Sequence, residues 1–244
     1  MKKISIIIPC YNEEKLVSKV LEKVLQTDLN YNLEKQIIVV NDGSTDNSAN
    51  SIDQFCKQNP SVIAIHQSKN YGKGAAIKDA LPKADGDIII IQDSDFEYDP
   101  NDYNKMIQPI YEGHADVVYG SRFIGMGPHR VLFFFHTIGN KFLTFLSNLF
   151  TGLNLTDMET GYKMFRREII QSIRLEENRF GFEPEVTAKI SRIPGIRVYE
   201  VGISYYGRTY KEGKKINWKD GFRAMYCILK YNIFRRGSHL SNKQ

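Results

Sequence analysis

The segment Gly86-Asp87-Ile88-Ile89-Ile90-Ile91-Gln92-Asp93-Ser94-Asp95-Phe96-Glu97-Tyr98-Asp99-Pro100 constrains the fold more than any other stretch of the chain. Four consecutive isoleucines leave no polar face, so the strand they form must be buried on both sides, as a central strand of a parallel sheet is. The acids that follow then stand at its carboxyl end, the edge where open α/β sheets bind ligands. Side chains two apart share a face in extended chain, so Asp93, Asp95 and Glu97 are expected to point into one space if the extension continues past Ile91. Three converging carboxylates repel unless a cation lies between them, and an oxygen-only ligand set favours Mg²⁺ or Mn²⁺ over zinc. A solvated acidic turn before Tyr98-Asp99-Pro100 is the alternative. The position at the end of a buried strand favours the ligand site.

Apolar runs alternate with helical patterns through the first half. Residues 4–8 are a short strand stopped by Pro9, and Asn12-Glu13-Glu14 opens a helical pattern through Leu16, Val20, Val24 and Leu25. Residues 36–40 form a second strand, followed by the turn Asn41-Asp42-Gly43-Ser44-Thr45-Asp46 and a helix containing Ile52 and Phe55. Asp42 is either a turn-former or a ligand-facing acid at the strand tip. After a third strand at 62–65, Asn70-Tyr71-Gly72-Lys73-Gly74-Ala75-Ala76 enters a helix through small residues and carries a lysine suited to face an anion. It matches neither a Walker A loop nor a GxGxxG fingerprint, which removes the main support for ATPase or NAD chemistry. A helix at 103–111 and a strand at 116–119 follow the acids, and Gly120-Ser121-Arg122 sets a cation just past that strand. This spacing predicts an α/β fold, a mostly parallel sheet with helices on both faces. At 244 residues the chain suits one large domain better than two small ones.

Beyond residue 125 phenylalanines and leucines recur at helical spacing over 133–150, beside His129, Arg130 and Lys141. Such a stripe is either core or a membrane-surface helix. The polar residues His136, Asn140, Lys141 and Asn148 make it a poor spanning segment. Residues 157–165 run from a polar turn into a strand. Glu183 and Glu185 begin a helix, with Pro184 in its first turn, and both acids are expected to serve the helix terminus. A strand at 197–201 leads to Tyr205-Tyr206-Gly207-Arg208-Thr209-Tyr210-Lys211-Glu212-Gly213-Lys214-Lys215, a basic loop expected to pack no core. An amphipathic helix at 218–234 ends in Arg235-Arg236, and 237–244 reads as a loose tail. The net charge of +5 is confined to this loop and the tail rather than to a stripe, which argues against nucleic acid as a partner. Cys10, Cys56 and Cys227 are too few and too scattered for a disulfide framework or a zinc site.

Taken together, Pro9-Cys10-Tyr11-Asn12-Glu13, Val40-Asn41-Asp42-Gly43-Ser44, Asp93-Ser94-Asp95, Gly120-Ser121-Arg122 and Arg208 with Lys214 resemble the family 2 glycosyltransferases of GT-A (Rossmann-like) fold. Within that family the chain is most similar to the dolichol-phosphate mannosyltransferase branch and its polyprenyl-phosphate relatives. The resemblance implies a single GT-A domain over 1–236, with a nucleotide-sugar half at 1–124 and an acceptor half with C-terminal amphipathic helices at 125–236. It implies an inverting transfer of a hexose from a nucleoside-diphosphate sugar to a polyprenyl or dolichyl phosphate, with Mg²⁺ or Mn²⁺ and a cytoplasmic membrane surface as partners. By resemblance, Pro9, Tyr11, Glu13, Val40 and Asp42 hold the nucleoside, and Asp93, Ser94 and Asp95 border the diphosphate. Asp95 and Glu97 are the closest metal ligands, with Asp93 beside them. Arg122, Arg208 and Lys214 match positions that hold phosphate groups, so Asp93, Asp95, Arg122 and Arg208 form the implied catalytic set. Glu97 stands where the mannosyltransferases commonly have glutamine, and the 157–165 segment is closer to the glucosyl branch. A rival reading makes the acceptor a sugar hydroxyl of a polysaccharide, which requires a general base from among Asp157, Glu159 and Glu183.

Overall fold

Along β4 (Ile88–Ile91), Ile88 and Ile90 pack into one hydrophobic layer and Ile89 and Ile91 into the other, all four fully buried. The arrangement is that of a computed structural model describing residues 1–125, 130–131, 134–208 and 218–234. The remaining strands are β1 (Lys3–Cys10), β2 (Glu34–Asn41), β3 (Val62–His66), β5 (Val117–Ser121), β6 (Lys163–Arg166) and β7 (Val198–Gly202). They form one sheet in the order β3-β2-β1-β4-β6-β5-β7.

β1 pairs in parallel with β2 and β4, β2 with β3, and β5 with β7. β6 is antiparallel to both β4 and β5. The isoleucine strand is therefore central, as its composition requires, but only one of its neighbours is parallel. The reason is the path of the chain. β5 ends at the carboxyl edge, the excursion that follows returns to that same edge, and β6 can only run back the other way.

Helices α1 (Val17–Gln26), α2 (Ser48–Gln58) and α4 (Tyr103–Tyr111) cover the Ile88/Ile90 layer. On α1 the buried positions Val17, Val20, Leu21 and Val24 keep the i, i+3, i+4, i+7 spacing of one apolar stripe. The helix starts later than Asn12-Glu13-Glu14 suggests, because Asn12 takes a left-handed conformation (φ 50°) in the turn that precedes it. Helices α3 (Lys73–Ala80), α6 (Arg167–Ser172) and α7 (Phe182–Ile190) pack on the opposite layer, joined by Ile228 of α8 (Trp218–Leu229).

Helix α5 (Phe134–Thr151) is arranged the opposite way to an ordinary surface helix. Thr144 and Ser147 are buried and Leu143, Leu146 and Phe150 lean on the core, while Phe134, Phe135, Ile138, Phe142, Phe145 and Leu149 are exposed. Of the two readings of this stripe, the outer half is not core. No helix among the described residues is long and apolar enough to cross a membrane.

α8 is fastened to the domain by charge. The Glu177 carboxylate accepts from Arg223 Nη2 at 2.5 Å, Lys230 Nζ at 2.8 Å and the Tyr231 hydroxyl at 2.8 Å. Burial alone would raise this carboxyl, but the hydrogen bonds from Lys230, Arg223 and Tyr231 override it and hold it down at about 2. A depressed acid stabilises the fold above its unfolded value, and that contribution is lost as pH falls through the folded value. Wild type should therefore lose more stability than Glu177→Gln between the ordinary carboxylate range and pH about 2, read from thermal midpoints across pH. Parallel midpoint curves would contradict this.

Candidate active site

The sheet's carboxyl edge gathers most of the residues singled out in the sequence. β4 stops at Ile91 and the chain turns, with Phe96 left-handed at φ 59°. Asp93, Asp95 and Glu97 are thus brought near one another by a turn, not by continued extension, and each carboxylate faces a protein group. Asp93 Oδ1 lies 2.8 Å from Lys73 Nζ. Asp95 Oδ2 accepts from Arg208 Nη2 at 2.9 Å. Glu97 accepts the Arg208 backbone N–H at 2.8 Å and the Tyr205 hydroxyl at 2.7 Å.

Arg208 also donates to both oxygens of buried Glu13, at 3.1 and 3.2 Å. Within the chain itself, the guanidinium of Arg208 and the ammonium of Lys73 are the cations that meet these acids. Among the described residues, no group of three or more His, Cys, Asp or Glu is arranged to hold a metal ion. Negative charge nevertheless remains in excess. Burial and then the charges of Asp93 and Glu97 push the Asp95 carboxyl up to about 7, and Arg208 offsets this only in part.

Asp42 stands at the tip of β2 and is 3% exposed. Its Oδ1 accepts the Tyr71 N–H at 2.6 Å, and its Oδ2 accepts the Gly72 N–H at 2.9 Å and the Asn70 side-chain amide at 3.0 Å. It is a turn-former, but for the 70–72 turn rather than its own. Gly72 needs its glycine there, with φ 105° and the Asn178 carbonyl 2.5 Å from where a Cβ would sit. Pro9 and Val40 are buried in register at the ends of β1 and β2, Ser94 is buried beside the acids, and Tyr11 is half-buried at the same edge.

Arg122, placed just after β5, is engaged within the protein. Its Nε and Nη2 form a fork onto fully buried Asp157 at 2.7 and 2.8 Å, and its backbone N–H donates to the same carboxylate at 3.1 Å. Asn140 of α5 donates to Asp157 as well, at 3.1 Å. Despite complete burial, Arg122 keeps the Asp157 carboxyl below its ordinary value.

Lys73, expected to face an anion, instead bridges two protein carboxylates, Asp93 and Glu183 at 3.1 Å. Glu183 and Glu185 are accordingly more than helix-terminus acids: Glu185 accepts the backbone N–H groups of Glu176 and Glu177 and pairs with buried Lys189 at 2.6 Å. Tyr205 is 2% exposed and packs against Tyr98, so the start of the basic loop does join the core. Lys214, with Lys211, Lys215, Arg235, Arg236 and His129, lies outside the described residues. Lys73 as a link between acids, and Gly161 pressed against Asp93, were missed in the sequence. A glycine just before a short strand was the available signal.

The family model described as glycosyl transferase family 2 matches residues 5–174. The chain belongs to glycosyl transferase family 2. This family 2 member is 30% identical over 247 residues to a UDP-N-acetylglucosamine–dolichyl-phosphate N-acetylglucosaminyltransferase of Methanococcus voltae, covering 93% of this chain and 95% of that one. It is 29% identical over 215 residues to an undecaprenyl-phosphate 4-deoxy-4-formamido-L-arabinose transferase of Proteus mirabilis, with 88% of this chain matched; the match spans 63% of the relative's length. The family 2 fold is that of GT-A glycosyltransferases. A glucosyl-3-phosphoglycerate synthase from Mycobacterium tuberculosis, solved with Mn²⁺, UDP and glucosyl-3-phosphoglycerate, matches with a TM-score of 0.69 at 18% identity, over 95% of this chain and 80% of that one.

Proposed function

We propose that this family 2 glycosyltransferase moves a hexose from a nucleoside-diphosphate sugar to a polyprenyl or dolichyl phosphate, with inversion at the anomeric carbon. The observation that carries the reading is Asp157, which accepts hydrogen bonds from Arg122 at the end of β5 and from Asn140 on α5. It ties the acid-rich sheet edge directly to a helix whose outer face is apolar, in a stretch, 130–155, that holds no Asp or Glu. Both relatives described above are named for a lipid-phosphate substrate. Residues 1–124 then form the nucleotide-sugar half and 125–236 the acceptor half of one domain.

In this reading Pro9, Tyr11, Glu13 and Val40 hold the nucleoside, with Asp42 shaping the 70–72 wall beside them. Asp93, Asp95 and Glu97 would hold Mg²⁺ or Mn²⁺; they are a hard, oxygen-only donor set whose charge Lys73 and Arg208 do not neutralise. Such an ion, when bound, supplies Lewis-acid neutralisation of the leaving diphosphate. Arg208, released from Glu13 and Asp95, offers a fork of donors to a phosphate, and Lys214 adds a second cation. A phosphate acceptor is already anionic and needs no protein base, so positioning dominates the chemistry. The polysaccharide reading is weaker because two of its three possible bases, Asp157 and Glu183, are already paired with Arg122 and Lys73.

α5 and α8 would lie on the cytoplasmic membrane surface. Phe222 and Tyr226 of α8 are exposed as well, and Lys141 is exposed on α5. Flotation should show binding to anionic vesicles at low salt that weakens as salt shortens the screening length. Phe142→Glu combined with Phe145→Glu should reduce that binding at least tenfold without lowering the thermal midpoint. The same vesicles, carrying a polyprenyl phosphate and supplied in turn with UDP- and GDP-sugars, identify the donor. Undiminished flotation by the double variant, or no transfer from any donor, would count against the reading.

A further inference from the structure

Two carboxylate oxygens beside the acid cluster have no hydrogen-bond partner: Glu183 Oε2 and Glu159 Oε1. Glu183 is 4% exposed, and its other oxygen is held by Lys73. Lys73 contacts Asp93 in turn, so a single ammonium separates the Glu183 carboxylate from the acids at the end of β4. Glu159 feels the charges of Glu183, Lys163, Arg122 and Asp157; burial and then Glu183 push its carboxyl up to about 8. Lys163 is no donor to either orphaned oxygen, since its ammonium donates to the Thr160 carbonyl and lies over the Tyr119 ring. The backbone between these groups is pressed into the site. A Cβ on Gly161 would come within 2.3 Å of Asp93 Oδ2 and 3.2 Å of Lys73 Nζ.

Buried acceptors without donors are costly, so each of these oxygens is open to a partner from outside the chain. The partner must bring O–H or N–H groups and no negative charge. We propose that Glu159 and Glu183 together receive ring hydroxyls of the donor's sugar and thereby determine which sugar is accepted. This rests on the donor-site reading above: if Asp93 borders the diphosphate, the group one ammonium further on is the sugar attached to it. Two hydroxyls of one ring can satisfy the two oxygens, whereas an epimer that turns one away leaves an acceptor unpaired again. Sites built to hydrogen-bond a hydroxyl discriminate strongly against analogues that lack it. The class selected is a neutral hexose or its N-acyl derivative, and a uronic acid is excluded by charge.

The test is calorimetric titration with Mg²⁺ and without acceptor, using whichever of UDP or GDP wild type binds and its glucose, galactose, N-acetylglucosamine and glucuronate conjugates. Wild type should bind one neutral conjugate at least tenfold more tightly than the glucuronate and lose at least tenfold when a ring hydroxyl is replaced by hydrogen. Glu159→Gln and Glu183→Gln should each reduce that preference at least tenfold while keeping affinity for the bare nucleotide within twofold. An unchanged preference in folded variants, as expected if the two carboxyls merely share a proton, overturns the proposal. So does a parallel loss of nucleotide affinity, or deoxy analogues that bind wild type as well as their parents, a result that needs no variant. Sugar discrimination without transfer to a lipid phosphate would instead sink the acceptor reading and leave this one standing.

Discussion

Asp95→Asn is expected to lower sugar transfer about a thousandfold, the loss that corresponds to several kcal/mol of charge stabilisation in the transition state, without lowering the thermal midpoint. The two expectations have one cause. Burial and the neighbouring Asp93 and Glu97 charges raise the Asp95 carboxyl to about 7, so its ionised form is disfavoured in the folded protein even with Arg208 at 2.9 Å. A raised acid costs stability above its unfolded value, and a neutral amide removes that cost. A residue that weakens the fold near neutral pH and packs no core is explained by a ligand that brings positive charge. Transfer at saturating Mg²⁺ or Mn²⁺ and a melting curve on the same preparation check both halves. Activity within tenfold of wild type, or a midpoint that falls by several degrees, would contradict this role.

Arg122→Ala is expected to destabilise the protein by about 3–5 kcal/mol, because it strands a fully buried carboxylate. Asp157 has no exposure, and among the described residues its fork from Arg122 is its only ion pair. Arg122→Lys should recover little, since an ammonium cannot reproduce two parallel hydrogen bonds. Arg122→Ala combined with Asp157→Ala should be more stable than Arg122→Ala alone. Urea unfolding measures all three. A loss under 1 kcal/mol for Arg122→Ala would mean that the hydrogen bonds from Asn140 and the residue-122 backbone N–H suffice for Asp157.

The sheet was legible because its strands are written in single-type apolar runs with turn residues at their ends. Ile88 to Ile91 read as a buried strand, which places its acids at the carboxyl edge. The antiparallel insertion of β6 was not legible, since direction depends on which edge the preceding excursion returns to and no local residue records that. The acids themselves were legible, but their partners were not. Lys73 and Arg208 come from sequence positions far from Asp93 and Asp95, and ion pairs over such separations leave no spacing rule to read. Asp42 shows the same limit at close range: its position at a strand tip was apparent, but its three donors belong to the turn at 70–72. α5 was ambiguous for a different reason. Periodicity gives one helix face as apolar but cannot say which way that face points, and here Thr144 and Ser147 turn inward and the phenylalanines outward.

Transfer to a lipid phosphate is followed through the sugar itself. Purified protein is given a nucleoside-diphosphate hexose labelled in the sugar, Mg²⁺, and a polyprenyl phosphate in anionic vesicles, and label in the organic-extractable phase is compared with nucleoside diphosphate released. One labelled hexose should appear in lipid for each nucleoside diphosphate released, with the anomeric configuration inverted. Label that appears only as free hexose, or on a water-soluble sugar acceptor in preference to the lipid phosphate, would contradict it.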